Sequence, residues 1–220
     1  MTRWKLAPLA VGLSLLAVFV STGCGSNNTH ARLMNAMSGF SSIDMTIDSK
    51  STVTGITYGA ASPYVNVSSG SRNLIVESTG STSPLINLTV SFPSGDSTVV
   101  ATDSGAMVFT DSNSAPSSGN LNIRVINVSP TLGSADVYIV TSGTSIAGMS
   151  PTFSNLGYQA ASGYQSLAAG SYQVVFTPPG QQLPKYTSSA QSFASGQIRT
   201  MVALDAQGGG YTAAVLSDKN

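Results

Sequence analysis

Apolar and polar residues alternate with a period of two in segment after segment of this chain. In Ile43-Asp44-Met45-Thr46-Ile47-Asp48 the apolar side chains fall on one face, and Ala135-Asp136-Val137-Tyr138-Ile139 repeats the pattern. Leu88, Val90 and Phe92 alternate with Thr89 and Ser91. Tyr172, Val174 and Phe176 share a side with Gln173 opposite, and Ile198, Thr200, Val202 and Leu204 line another. The runs are short, rich in β-branched and aromatic residues, and bounded by Gly, Ser, Asn and Pro, as half-buried strands are. Past the first 23 residues no segment sustains a helical period. Strands with one apolar face bury it against a second sheet, so the pattern predicts an all-β protein.

The strands come in two sets. Arg32-Leu33-Met34-Asn35 aligns with Arg124-Val125-Ile126-Asn127, and Ser42-Ile43-Asp44 with Ser134-Ala135-Asp136. Tyr58 matches Tyr158, Ala60-Ala61-Ser62-Pro63-Tyr64 matches Ala160-Ala161-Ser162-Gly163-Tyr164, and Phe92 matches Phe193. The order is collinear, with one insertion placed within Thr141 to Phe153. A polar, Pro-punctuated stretch, Ser112 to Gly119, reads as a linker. The expected organisation is two tandem immunoglobulin-like β-sandwich domains, 30–112 and 120–220, joined by 113–119. A small barrel is the runner-up for each unit. Gly70 and Gly170 are expected to supply a positive φ in matching turns.

The first residues read differently. Arg3 and Lys5 precede an apolar run, Leu6 to Val20, that is too short to cross a bilayer core and has the length of a signal-peptide core. Ser21-Thr22-Gly23 then lead to Cys24, the chain's one cysteine. A small residue directly before a cysteine resembles the bacterial lipobox, although Ser21 stands where that pattern places an aliphatic residue. The resemblance implies a signal peptide over 1–23, lipidation of Cys24, and a tether over 24–29. Two or more acyl chains hold a protein to a membrane without a spanning helix. The expected location is the bacterial cell envelope, lipid-anchored, facing the periplasm or the exterior. So short a tether is expected to keep the first unit near the membrane and turn the second outward.

Composition narrows the chemistry. Leaving out Arg3 and Lys5, seven basic side chains face nine acidic ones, and Ser, Thr, Gly and Asn carry most of the polarity. Nucleic acid is not an expected partner, because phosphate binding needs clustered Lys and Arg. No Cys or His cluster suggests zinc and no dense Asp-x-Asp loop suggests calcium, so neither a metal nor a cofactor is expected. His30, the one histidine, lies near the tether and not in a Ser-His-Asp arrangement.

Ile123 to Pro130, Ala135-Asp136-Val137-Tyr138 and Leu167-Ala168-Ala169-Gly170-Ser171-Tyr172 together resemble the bacterial domain-of-unknown-function family numbered 4397. The second unit carries these motifs more fully. In the first, Met37-Ser38-Gly39, Asp44-Met45-Thr46 and Arg72 stand in their places. The resemblance implies exported, β-rich, often tandem modules and brings no catalytic residues.

Function is therefore expected to be non-catalytic: a membrane-anchored module that binds or organises an envelope polysaccharide or protein. The alternative is an envelope glycan hydrolase working with paired carboxylates. Arg32 and Arg124 recur in the opening strands, and each is expected to pair with the recurring aspartate of its own unit, Asp44 or Asp136. Those aspartates are expected to bond backbone near a strand start. Tyr138, Tyr158 and Tyr164 are candidates for a binding platform, as is the insertion between Gly143 and Asn155.

Overall fold

The computed structural model describes Met1 and residues 29–219; the signal segment beyond Met1, Cys24 and the tether before Thr29 lie outside the described residues. The first half forms β1 (Thr29–Ala36), β2 (Ser42–Ile47), β3 (Lys50–Thr57), β4 (Val65–Asn66), β5 (Gly70–Ser78), β6 (Pro84–Phe92), β7 (Gly95–Thr102) and β8 (Gly105–Asp111). The second half forms β9 (Asn120–Asn127), β10 (Ala135–Thr141), β11 (Phe153–Leu156), β12 (Ala160–Ala161), β13 (Gln165–Ala168) and β14 (Gly170–Thr177). It continues with β15 (Tyr186–Thr187), β16 (Gln191–Phe193), β17 (Ile198–Asp205) and β18 (Tyr211–Lys219). Among the described residues there is no helix, so the all-β class holds.

Each half is a sandwich of two sheets. The first pairs the order β4-β1-β7-β8 with β3-β2-β5-β6. The second pairs β12-β9-β17-β18 with β11-β10-β14-β15, and adds β13 on β9 and β16 on β14. In both, the opening strand runs parallel to a late one: Arg32 stands opposite Thr98 on β7, and Arg124 opposite Thr200 on β17. The first core gathers Leu33, Ile43, Met45, Leu74, Val76, Phe92 and Val99. The second gathers Leu121, Ile123, Val125, Val137, Val174, Phe176 and Met201. Ile43, Met45, Phe92, Val174 and Phe176 keep the inward face that the alternating pattern predicts, but on β17 the phase is reversed: Met201 enters the core, and Thr200, Val202 and Leu204 face the other way.

The central strands break that pattern. Leu33 and Ala31 point into the first core, yet Met34 and Ala36, which follow them on the strand, are buried too. The same holds for Val100 on β7, Ile126 on β9, and Val202 and Leu204 on β17. Together with Val128, Leu216, Met107 and Phe109 they form a third core where the outer faces of the two sheets built on β1 and β9 meet. A strand covered on both faces reads as an unbroken apolar run. Met201-Val202-Ala203-Leu204 and Val99-Val100-Ala101 are such runs. The two halves are thus stacked as four sheets, not strung out on a linker.

The stacking fixes direction as well. Val67 N–H bonds Thr29 O, Ala169 N–H bonds Gly119 O, and Gly196 N–H bonds Asn120 O, so the starts of β1 and β9 each lie among their own turns. Arg32 near the start of β1 bonds Ser217 O at the end of β18, beside the start of β9. At the opposite end the Tyr58 hydroxyl bonds Asp205 O, and Gln207 bonds Ser38 O. The two sandwiches therefore stand side by side, with both opening strands starting at one end.

Two local expectations resolve differently. Gly70 does adopt a left-handed backbone, φ 88°. Gly170 does not, and a Cβ there would sit in ordinary contact, 3.5 Å from the Tyr172 ring. The inserted segment between β10 and β11 folds onto the outer face of its own sheet. There Ile146 joins Tyr138, Val140 and Val175 in a small separate cluster.

Met34 and Leu33 are adjacent and both fully buried, one in the seam and one in the first core. Replacing either with Ala is expected to cost about 2–5 kcal/mol in denaturant unfolding. A Met34→Ala loss below about 0.5 kcal/mol, the range of exposed positions, would mean that the seam is open in solution.

Candidate functional site

Among the described residues, the densest group of buried charged side chains lies in the seam. Arg32 donates from Nε to the Thr98 hydroxyl of its own sheet at 2.9 Å. It then reaches across to the other half, bonding Ser217 O at 2.8 Å and the Asp218 carboxylate. Arg124 does the same in reverse. Its Nε bonds Thr200 at 2.8 Å, and its other nitrogens bond Thr110 O at 2.7 Å and the Asp111 carboxylate of the first half. Each carboxylate is closed by local hydroxyls. Asp111 accepts from Tyr64 at 2.6 Å and Thr98 at 2.7 Å, and Asp218 accepts from Tyr164 and Thr200, both at 2.6 Å. The guanidiniums lie over the same two rings, 4.8 Å from the Tyr64 centroid and 4.9 Å from that of Tyr164. The result is a neutral set of two Arg and two Asp, related by an approximate two-fold axis and excluded from water.

The surrounding sequence explains how these side chains are held. Arg32 and Arg124 alternate with core residues, so on a strand they must point away from their own core and into the seam. Three residues on, Asn35 and Asn127 brace the ends of β1 and β9. Asn35 bonds Ile56 O and the Met37 N–H, and Asn127 bonds Gly133 O, Leu156 O and the Ser129 N–H. Ser62 and Ser162 each bond an opening-strand N–H, that of Leu33 or Val125, and so position the tyrosine two residues later. The repeated Arg-x-x-Asn and Ala-Ala-Ser-x-Tyr motifs are thus the scaffold of this centre.

The expected pairing of Arg32 with Asp44 and of Arg124 with Asp136 is overturned. Each arginine and its expected aspartate stand on strands of different sheets, and the seam, not the unit's own core, faces the guanidinium. Asp44 instead accepts from Gly55 N–H at 2.7 Å and Thr79 at 2.6 Å. Asp136 accepts from the Asn155 and Gly180 N–H groups, both at 2.7 Å. Both are backbone-bonding carboxylates near strand starts, as their alternative reading had it. The partners that were missed, Asp111 and Asp218, sit at the ends of β8 and β18. Their signal is faint: an acid closing the last strand of each unit, too far along the chain to be aligned by motif.

The three candidate tyrosines go to three places. Tyr138 is buried under the inserted loop. Tyr158 lies 3.5 Å from the Ser104 hydroxyl of the other half. Tyr164 belongs to the charged centre. His30 bonds Asp96 at 2.6 Å, and Cys24 lies outside the described residues. Among the described residues no three acidic, His or Cys side chains converge as metal ligands would.

Beside the centre the seam opens into a groove. A hollow of about 440 Å³ is lined by Arg32, Gly59 to Tyr64, and Ala214 to Ser217. It shares Gly59 and Ala214 with a second hollow of about 340 Å³, which runs on between Tyr58 and Thr212 toward Gln207.

Removing one member of a buried ion pair strands the other. Arg124→Ala or Asp218→Ala is therefore expected to cost about 3–5 kcal/mol in equilibrium unfolding. A loss near that of an exposed pair, below about 1 kcal/mol, would refute the buried assignment. Burial, opposed by the adjacent arginine and reinforced by the adjacent aspartate, pushes the Tyr64 and Tyr164 hydroxyls well above the ordinary tyrosine range. In the unfolded chain they ionise near about 10. Their stabilisation is full below that pH and falls as pH rises beyond it. Ultraviolet titration should show two phenols ionising only as the protein unfolds, and Tyr64→Phe with Tyr164→Phe should flatten the alkaline loss.

No curated protein matches the chain. Similar solved structures include the family 41 carbohydrate-binding modules of streptococcal virulence factors, described with α-glucan. They show 12% identity, coverage of 79% of this chain and 93% of theirs, and a TM-score of 0.28. The CBMbc module of Eubacterium rectale Amy13K, solved with maltoheptaose, gives 10%, 87% and 98%, and 0.31. The Bacillus anthracis TIE protein gives 10%, 84% and 34%, and 0.27. A family match covers residues 29–138, from β1 through the whole first sandwich into β10, whereas the motifs had placed the better fit in the second unit. That match spans half of the 220 residues, and the chain belongs to the DUF4397 family, a domain of unknown function.

Proposed function

We propose that this protein is a lipid-anchored envelope lipoprotein whose two sandwiches act as one rigid, non-catalytic binding body. The observation that carries the reading is the direction of the strands. β1 and β9 start at the same end, the end that a tether before Thr29 would hold. A body held there stands with its strands leading away from the membrane and both sandwiches level. This replaces the expected arrangement of one unit near the membrane and the other beyond it. The opposite end presents turns from both halves, around Ser38, Asp103, Thr131 and Gln207.

The hydrolase alternative needs two carboxylates facing each other across an open cleft. The pair that the fold brings to one guanidinium, Asp111 and Asp218, is fully buried and bound by arginines. That arrangement supports binding over hydrolysis. The partner is an envelope polysaccharide or protein.

Membrane fractionation and intact mass test the anchor. The wild-type protein should fractionate with membranes and carry a diacylglyceryl mass on a chain beginning at Cys24, and Cys24→Ser should be released into the soluble fraction. An unmodified soluble wild-type protein would overturn the anchor. Binding by the mature protein on glycan arrays or in envelope pull-downs tests the rest, and failure of both leaves a structural spacer.

A further inference from the structure

The seam groove has a property that neither wall would have alone: both walls are strand edges. β18 ends the order β12-β9-β17-β18, so one side of it is unpaired. Which of its backbone groups face that side follows from one bond. Ser217 O accepts from Arg32 across the seam, so Ser217 points its carbonyl away from β17. In an antiparallel ladder, outward-facing residues recur every second position. Val215, paired opposite Met201, and Ala213, opposite Ala203, therefore also present their N–H and C=O to the groove edge. The Tyr186 hydroxyl reaches the Ala213 backbone. No described group bonds the outward N–H and C=O of Val215.

The facing wall is built the same way. Ala60 O and the Ser62 N–H bond β1, which turns the Ala61 backbone outward. The wall side chains are small where the hollows meet: Gly59, Ala60 and Ala61 on one side, Ala213 and Ala214 on the other. The one charged residue along the groove, Arg32, is neutralised by Asp218. From Thr212 to Ser217 the groove follows six residues of β18, about 20 Å of strand.

A slot of this length, with the outward N–H and C=O of Val215 free at its middle, small flanking side chains and no net charge, has the chemistry of strand addition. We propose that the free edge of β18 takes up an extended, uncharged polypeptide segment, seated between β18 and residues 58–64. The peptide backbone bonds Val215 N–H and C=O, and its side chains alternate between the seam and solvent. A native chain with such an edge left bare would be open to unwanted pairing, and a resident partner segment removes that exposure. The proposal specifies a protein partner for the binding body proposed above and stands on the groove alone, so it holds whether or not Cys24 is lipidated.

The test uses the mature chain from position 24 onward, carrying Cys24→Ser, and a displayed library of random ten-residue peptides. Selected peptides should be poor in charged residues. They should slow amide exchange at Val215 and should not do so at exposed Leu85 on the β6 edge. Val215→Pro removes the outward N–H without touching the β17 ladder and should weaken binding at least about tenfold. Ala60→Lys, which fills the slot from the other wall, should do the same, and serves if the proline variant does not fold. Selection of no peptide, or of peptides whose binding survives both variants, would overturn the proposal. The membrane partition of the wild-type protein is read separately and is unaffected by either outcome.

Discussion

Two arginines, each crossing to a carboxylate in the other half, hold this molecule in its shape. Taking four charges out of water is costly, and a buried pair seldom returns more stability than apolar residues of the same size would. What the exchange supplies is position. Each guanidinium is fixed by a threonine of its own sheet, a carbonyl and a carboxylate of the opposite half, and a tyrosine face. Sliding one sheet over the other by a residue would leave all four charges unpaired. Apolar contacts alone, such as Met34 against its neighbours in the seam, are tolerant of such slips.

The rest of the architecture follows from that lock. Because the seam is made by the outer faces of two sheets, the strands at their centres are covered on both sides, and what looks like a pair of beads on a polar linker is one body. The same lock sets the ends. With β1 and β9 starting together, the connecting segment only has to return across one end, and the opposite end is formed jointly by turns from both halves. It also leaves β18 and residues 58–64 edge to edge, so the groove exists only because the halves are joined.

Much of this fold was legible in the alternation of residues such as Ile43, Met45 and Ile47, which states one buried face per strand. The repeat motifs pointed to the right residues as well, since Arg32, Asn35, Ser62 and Tyr64 and their counterparts all have matching structural duties. Their partners were not legible. A sequence shows that Arg32 must leave its own core, but not that a second sandwich waits there, because that depends on how two sheets stack. The nearest recurring acid, Asp44, was the natural guess, and local backbone claimed it first. The seam did leave a trace in the unbroken run Met201-Val202-Ala203-Leu204, which a strand with a solvated face would not carry. Gly170 teaches a smaller lesson: two glycines at matching positions need not share a backbone conformation.

Placing two arginines and two aspartates inside has an outcome at the surface. The chain is poor in charge to begin with, with nine basic and nine acidic residues in 220. Four of those sit in the seam, and Arg199 and Asp136 are buried elsewhere. The exterior is left as a sparsely charged coat of hydroxyl and amide groups that casts little electric field. Encounters with a partner are then guided by diffusion and shape, without the long-range steering that ionic strength would screen.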